Sequence, residues 1–165
     1  MKIQDEIKKE HDEIRNYMLQ MDNEEEKAPE IFQDLVTFVL SHHESEEQVV
    51  FDALSNKKDV KEVKNNLKAE HAGIRRTMQI ILDTPEDDDM WKAHVHLLKD
   101  LLYHHVQEEE EELFEIVRKE LDEAKQEEVY KEFEKYFKQI KPDAKAKVES
   151  KYIIEEEDVL PKSEP

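Results

Sequence analysis

No cysteine occurs in the 165 residues, which excludes disulfides, thiolate catalysis and cysteine-ligated zinc or iron–sulfur centres. Glycine occurs once, at Gly73, and of five prolines three stand at or beyond Pro142. A body this poor in turn formers is not built from many strands and hairpins, whereas long helices with few connections need little else. Basic residues are scarce relative to acidic ones, 25 Lys and Arg against 44 Asp and Glu, for a formal charge of −19. That balance opposes binding to nucleic acid or an anionic membrane, both of which need a cationic face, and it attracts cations. No apolar run approaches a membrane span, and the opening MKIQDEIKKEHDEI lacks the apolar stretch of a signal peptide. The expectation is a cytoplasmic protein.

What is present is a repeat. EHDEIRNYM at Glu10–Met18 returns as EHAGIRRTM at Glu70–Met78, offset by 60, and HHESEEQVVF from His42 returns as HVQEEEEELF from His105, offset by 63. Two copies are too few for a solenoid and fit two helix hairpins packed face to face. The expected fold is all-α, an up-down-up-down four-helix bundle over residues 1–122. Its helices should run from about Lys2 to Met21, Pro29 to Leu54, Val60 to Leu82 and Asp88 to Leu121, with Pro29 in a favoured first-turn position. Residues 123–141 carry Val129, Phe133, Tyr136, Phe137 and Ile140 at helical spacing and predict a fifth, amphipathic helix packed on the bundle. Beyond Pro142 the periodicity stops, so 142–165 reads as a flexible tail anchored at most by Tyr152, Ile153 and Ile154, and open to a protein partner.

The apolar stripes select the inward polar residues. The first helix gives Ile3, Ile7, His11, Ile14, Met18, Met21; the second Ile31, Leu35, Phe38, His42, Glu46, Val49. The third gives Val60, Val63, Leu67, His71, Ile74, Met78, Ile81; the fourth Trp91, Val95, Leu98, Leu102, His105, Glu109, Leu113, Ile116. Polar residues interrupt each stripe only near its middle. Measured from the turns, the interruptions differ in height by less than about one helical turn, so they should share one layer. His43, Glu47, His104 and Glu108 sit about 100° around the helix from their neighbours and are expected to face away. His94 and His96 read as surface residues, and the Glu108–Glu112 run as a solvated face with only Glu109 turned in.

Two buried carboxylates without partners are destabilised by several kcal/mol each. Two divalent ions would offset that, so His11, His42, Glu46, His71, His105 and Glu109 are the candidate metal ligands. His-x-x-x-Glu puts both groups on one helical face. Two His per ion with both Glu bridging is the expected arrangement, with coordination positions left over for water or a small ligand. A single core His is ordinarily just a hydrogen-bonded His. Four on-stripe His and two on-stripe Glu, related by a repeat, point to metal.

The EH-x-x-I motif, HH-x-x-EE-x-x-x-F and their second copies, spanning His11 to Phe114, resemble the hemerythrin-like HHE cation-binding domains. The resemblance implies a four-helix bundle around a non-heme pair of iron ions, bridged by carboxylates and an oxo or hydroxo group. It also implies a small diatomic ligand such as dioxygen or nitric oxide. Manganese or zinc suits the same donors. Oxygen-carrying members have a further His four residues after the third-helix ligand; here that position is Arg75, and Arg15 is its first-helix equivalent, which argues against simple oxygen carriage. Arg15 and Arg75 are candidate partners of the bridging carboxylates, and Glu10 and Glu70 candidate extra carboxylates. The expected function is binding or sensing. The alternatives are an enzyme acting on peroxide or nitric oxide at the same centre and a structural helical interaction module.

Overall fold

The computed structural model describes residues 1–159. Four helices form the bundle, and neighbours in sequence are neighbours in space: α1 (Ile3–Asn23), α2 (Ala28–Ser45, continuing as a π-helical turn Glu46–Phe51), α3 (Lys58–Asp83) and α4 (Asp89–Glu108, continuing through a π-helical turn Glu109–Leu113 and the segment Phe114–Glu120). A fifth helix, α5 (Glu123–Glu149), lies over α1 and α2. Among the described residues no helix is long and apolar enough to cross a membrane. Capping is local: the Asp88 carboxylate accepts from Met90 N at 2.9 Å and that of Asp122 from Lys125 N at 2.8 Å. Pro29 occupies the first turn of α2.

The core is split in two. Ile14, Met18, Leu35, Ile74, Met78 and Leu98 centre one apolar cluster at the end of the bundle holding the α1–α2 and α3–α4 turns. Ile3, Ile7, Val50, Leu67, Leu113 and Phe133 centre the other. Between them lies a layer of buried polar side chains, His11, His42, His43, Glu46, His71, His105 and Glu109.

The two π turns are a feature that a 3.6-residue period does not reveal. His42, Glu46, Val50 and Leu54 are all buried, as are His105, Glu109, Leu113 and Val117, each set in steps of four. In an α-helix every four-residue step drifts about 40° around the axis, so such a line would leave the core. The wider π turn resets it and begins at the Glu in both copies. The stripe therefore continues through Val117, while Ile116, expected inside, is only half-buried.

Pro142 does not end α5, which continues to Glu149 with Ala144 and Val148 buried one turn apart. Two small apolar residues among lysines are too weak a pattern to read from sequence. The helix closes where Lys151 adopts a left-handed φ of 60° and Tyr152 N donates to Lys147 O at 3.2 Å. Beyond it the chain is not a loose tail as far as residue 159: Ile153 is buried, its N–H donating to the Gln79 side chain at 2.8 Å, and Asp158 is buried against α3. The part of the expected flexible tail at 160–165 lies outside the described residues.

Phe133 is fully buried in the second cluster and meets the His42 ring edge-on at 6.5 Å. Phe133→Ala is therefore expected to destabilise the protein by about 3–5 kcal/mol in a urea titration. A loss below about 1 kcal/mol would mean that α5 is not part of the core.

Candidate metal centre

The six residues picked out from the stripes converge in one layer, each at most 1% exposed. His11 Nε2 lies 2.9 Å from Glu109 Oε1, with His42 Nε2 3.9 Å from the same oxygen. The other Glu109 oxygen faces His105 Nε2 at 3.4 Å and His71 Nε2 at 3.7 Å. Glu46 Oε1 stands between His42 Nε2 at 3.3 Å and His71 Nε2 at 3.5 Å. The imidazoles thus fall into two pairs, one from each repeat, and both carboxylates span the pairs. Among the described residues two fully buried sets of donors lie close enough to hold an ion, His11, His42, Glu46 and Glu109, and His43, Glu46, His71 and His105, the atoms within 4.8 Å of one another in each; a third set, Glu70, His104 and Glu108, lies nearer the surface.

Orientation comes from a closed ring of carboxylates that stripe reasoning does not find. His11 Nδ1 faces Glu110 at 2.8 Å, His105 Nδ1 faces Glu70 at 2.6 Å, His71 Nδ1 faces Glu47 at 2.7 Å and His42 Nδ1 faces Glu10 at 2.7 Å. Each bond joins one helix to the next, α1 to α4 to α3 to α2 and back to α1. With Nδ1 donating to a carboxylate, Nε2 is directed inward, the arrangement metal-binding histidines characteristically use. Glu10 and Glu70 therefore support imidazoles rather than adding carboxylates to the inner layer. Sequence reasoning misses Glu47 and Glu110, although both follow the inward Glu directly in the repeat.

Two arginines stand behind this ring. Arg15 Nη2 donates to Glu110 at 2.8 Å, while Nη1 donates to Asp12 at 2.8 Å. Arg75 Nη1 lies 4.0 Å from Glu47, and its Nε and Nη2 both donate to Asp158, each at 2.6 Å. The arginines thus back the carboxylates on His11 and His71 rather than the bridging ones. Aromatic rings wall the layer: Phe114 lies parallel to His11 at 6.2 Å, and its repeat mate Phe51 parallel to His71 at 6.1 Å.

Three expectations are overturned. Glu47, expected to face away, and Glu110, expected on a solvated face, turn to His71 and His11. His43 does not face away: it is 1% exposed and stacks on His71 with ring centroids 3.8 Å apart. Helix α2 is enclosed on more than one side, and residues 35–43 are buried without a break. The uninterrupted run LVTFVLSHH, apolar and small around the whole helix, is the sequence signal of that enclosure. His104, by contrast, is exposed, as is His96, and His94 is half-exposed.

The donor set fits a metal on its own geometry. His42 Nε2, Glu109 Oε2, both Glu46 oxygens and both His43 nitrogens are buried without a hydrogen-bond partner, and such groups are rare and destabilising in folded proteins. His71 Nε2 and His105 Nε2 face each other at 3.1 Å, an approach that a shared cation rationalises. Burial disfavours charge on Glu46, and the nearby Glu109 adds to this, so its carboxyl is pushed well above the usual range. Burial acts the same way on Glu109, but His105, His11 and His42 overcome it and hold its carboxyl well below the usual range.

Residues 2–117 match the family described as hemerythrin HHE cation binding domain. The chain belongs to that family, and its buried His and Glu groups are able to hold metal. No curated protein and no solved structure matches it.

Burial opposes protonation of His42 and His105, yet the carboxylates of Glu10 and Glu109, and of Glu109 and Glu70, raise both to about 9. Groups raised on folding contribute stability that is complete below the unfolded value of about 6.5 and is lost as pH rises through the folded one. Chelator-treated protein should therefore lose thermal stability between about pH 6.5 and 9. Metal-loaded protein, its imidazoles deprotonated, should not. Thermal melts across that range check this; a metal-free Tm that climbs with pH would contradict it.

Proposed function

We propose that the chain is a non-heme di-iron protein that binds a small diatomic ligand such as dioxygen or nitric oxide, in a binding or sensing role. The observation that carries this is the convergence of four carboxylate-oriented imidazoles on two shared, buried carboxylates. His11 and His42 would hold one ion, His71 and His105 the other, with Glu46 and Glu109 bridging. Iron so held would supply reversible ligand binding and one-electron chemistry; manganese and zinc suit the same donors, and the choice of iron follows the resemblance of the motifs to hemerythrin-like domains.

This chain's own residues do the rest. Glu10, Glu47, Glu70 and Glu110 fix the imidazole tautomers, Arg15 and Arg75 steady two of those carboxylates, and Phe51 and Phe114 keep bulk water from two of the rings. Four imidazoles and two shared carboxylates would leave two six-coordinate ions with room for an exogenous ligand. A structural site has no use for that room. The reading takes the protein to be cytoplasmic, with no nucleic-acid or membrane partner, in keeping with its acidic charge.

Anaerobic loading with ferrous iron, followed by metal analysis and near-ultraviolet spectra, tests it. Two irons per chain are expected, with a spectrum that changes on adding dioxygen or nitric oxide. His42→Ala or Glu109→Ala should lose at least one ion, whereas Glu108→Ala should retain both. Failure to bind metal would overturn the proposal, and repeated turnover of peroxide would assign the centre to an enzyme instead.

A further inference from the structure

We propose that His43 is a fifth imidazole ligand, serving only the ion held by His71 and His105, so that the two ions are chemically unequal. The inference rests on the metal-pair reading above and goes beyond its two-fold layer.

His43 is as buried as the four other imidazoles, but both of its ring nitrogens lack a hydrogen-bond partner. A histidine retained only for packing in a site this buried would ordinarily donate one N–H to a carbonyl or carboxylate. Three candidate metal donors lie beside it. A ring nitrogen of His43 lies within 4.8 Å of the ligand atoms of Glu46, His71 and His105, and the ring meets that of His105 edge-on at 5.1 Å.

The repeat shows why only one ion gains it. His42, Glu46 and Glu47 recur 63 residues later as His105, Glu109 and Glu110, but His43 recurs as Val106. Val106 is also buried, at 1% exposure, so the second copy fills the equivalent space with an apolar side chain that cannot ligate. One half of the centre has three imidazoles and the other two. The ion of His11 and His42 would then have fewer protein donors than its neighbour.

His43 also differs from the others in how it is held. Each of the other four imidazoles has a carboxylate on Nδ1; among the described residues His43 has none. It stacks on His71 with an interplanar angle of 11°. Two parallel rings cannot both aim an in-plane lone pair at one ion, so coordination would require the His43 ring to turn out of the stack. The absence of a carboxylate tether leaves it able to turn.

The test uses the full chain and Co2+ alone, titrated against a competing chelator while the visible spectrum is recorded. Wild type should bind two ions in unequal steps. His43→Leu, which keeps apolar volume, should weaken one step by about tenfold or more, since even loss of an outer hydrogen-bond partner of a ligand lowers metal affinity about 10–100-fold. The other step should be unchanged, and the spectrum of the weakened site should shift toward lower coordination. Two unaltered steps with an unaltered spectrum would overturn the proposal and leave the metal pair standing. Should His43→Leu fail to fold, nitrogen-detected imidazole NMR of wild type with Zn2+ decides. A His43 nitrogen that moves with the other ligands supports the assignment, and one that stays in place overturns it. Wild type that binds no metal would overturn the metal-pair reading and this inference with it.

Discussion

Glu46 and Glu109 lie fully buried at the middle of an apolar bundle, where an unpaired ionised carboxylate is destabilised by several kcal/mol. Much else in the molecule answers to that constraint. Each carboxylate is met from several sides by imidazoles, each imidazole pair comes from one repeat, and the apolar core is divided into clusters above and below. The ring of four Nδ1–carboxylate contacts then does two jobs at once. It turns every Nε2 inward, and it ties each helix to the next at the height where the apolar packing is interrupted. Stability and site orientation are thus supplied by the same bonds, which couples metal binding to folding.

The two halves obey a common plan but are finished differently. Arg15 is steadied within α1 by Asp12, whereas its counterpart Arg75 is steadied by Asp158, more than 80 residues away at the end of the described chain. The C-terminal strap therefore reaches the metal layer through Arg75, Glu47 and His71. Gln79 fastens it further along, donating to Lys151 O at 3.0 Å and accepting from Ile153 N at 2.8 Å. Helix α5 is needed to bring the strap there, and it also seals α2 with Phe133. That seal lies against His42, whereas His43 is enclosed by the rings of His71 and His105.

Much of this is legible in the sequence. The stripes and the repeat lead to the all-α bundle, the fifth helix and the six inward residues, because a polar residue in the middle of an apolar stripe is carried into the core with its neighbours. Where the reading fails, the causes are specific. His43 escapes it because a 100° rotation equals exposure only for a helix covered on one side. The π turns stay hidden because a fixed 3.6-residue period cannot represent an inserted residue, although four-residue steps from His42 to Leu54 carry the sign. Glu47 and Glu110 escape because stripes rank residues by depth, and these act from the rim. The strap depends on one long-range ion pair, Arg75 with Asp158, for which sequence spacing holds no signal.

Anomalous diffraction at the iron edge from crystals of the iron-loaded protein tests the central claim most directly. The account predicts two separate peaks in the layer between the apolar clusters, one beside His11 and His42, the other beside His71 and His105, with Glu46 and Glu109 reaching both. A single peak, or none within reach of those two carboxylates, would contradict it.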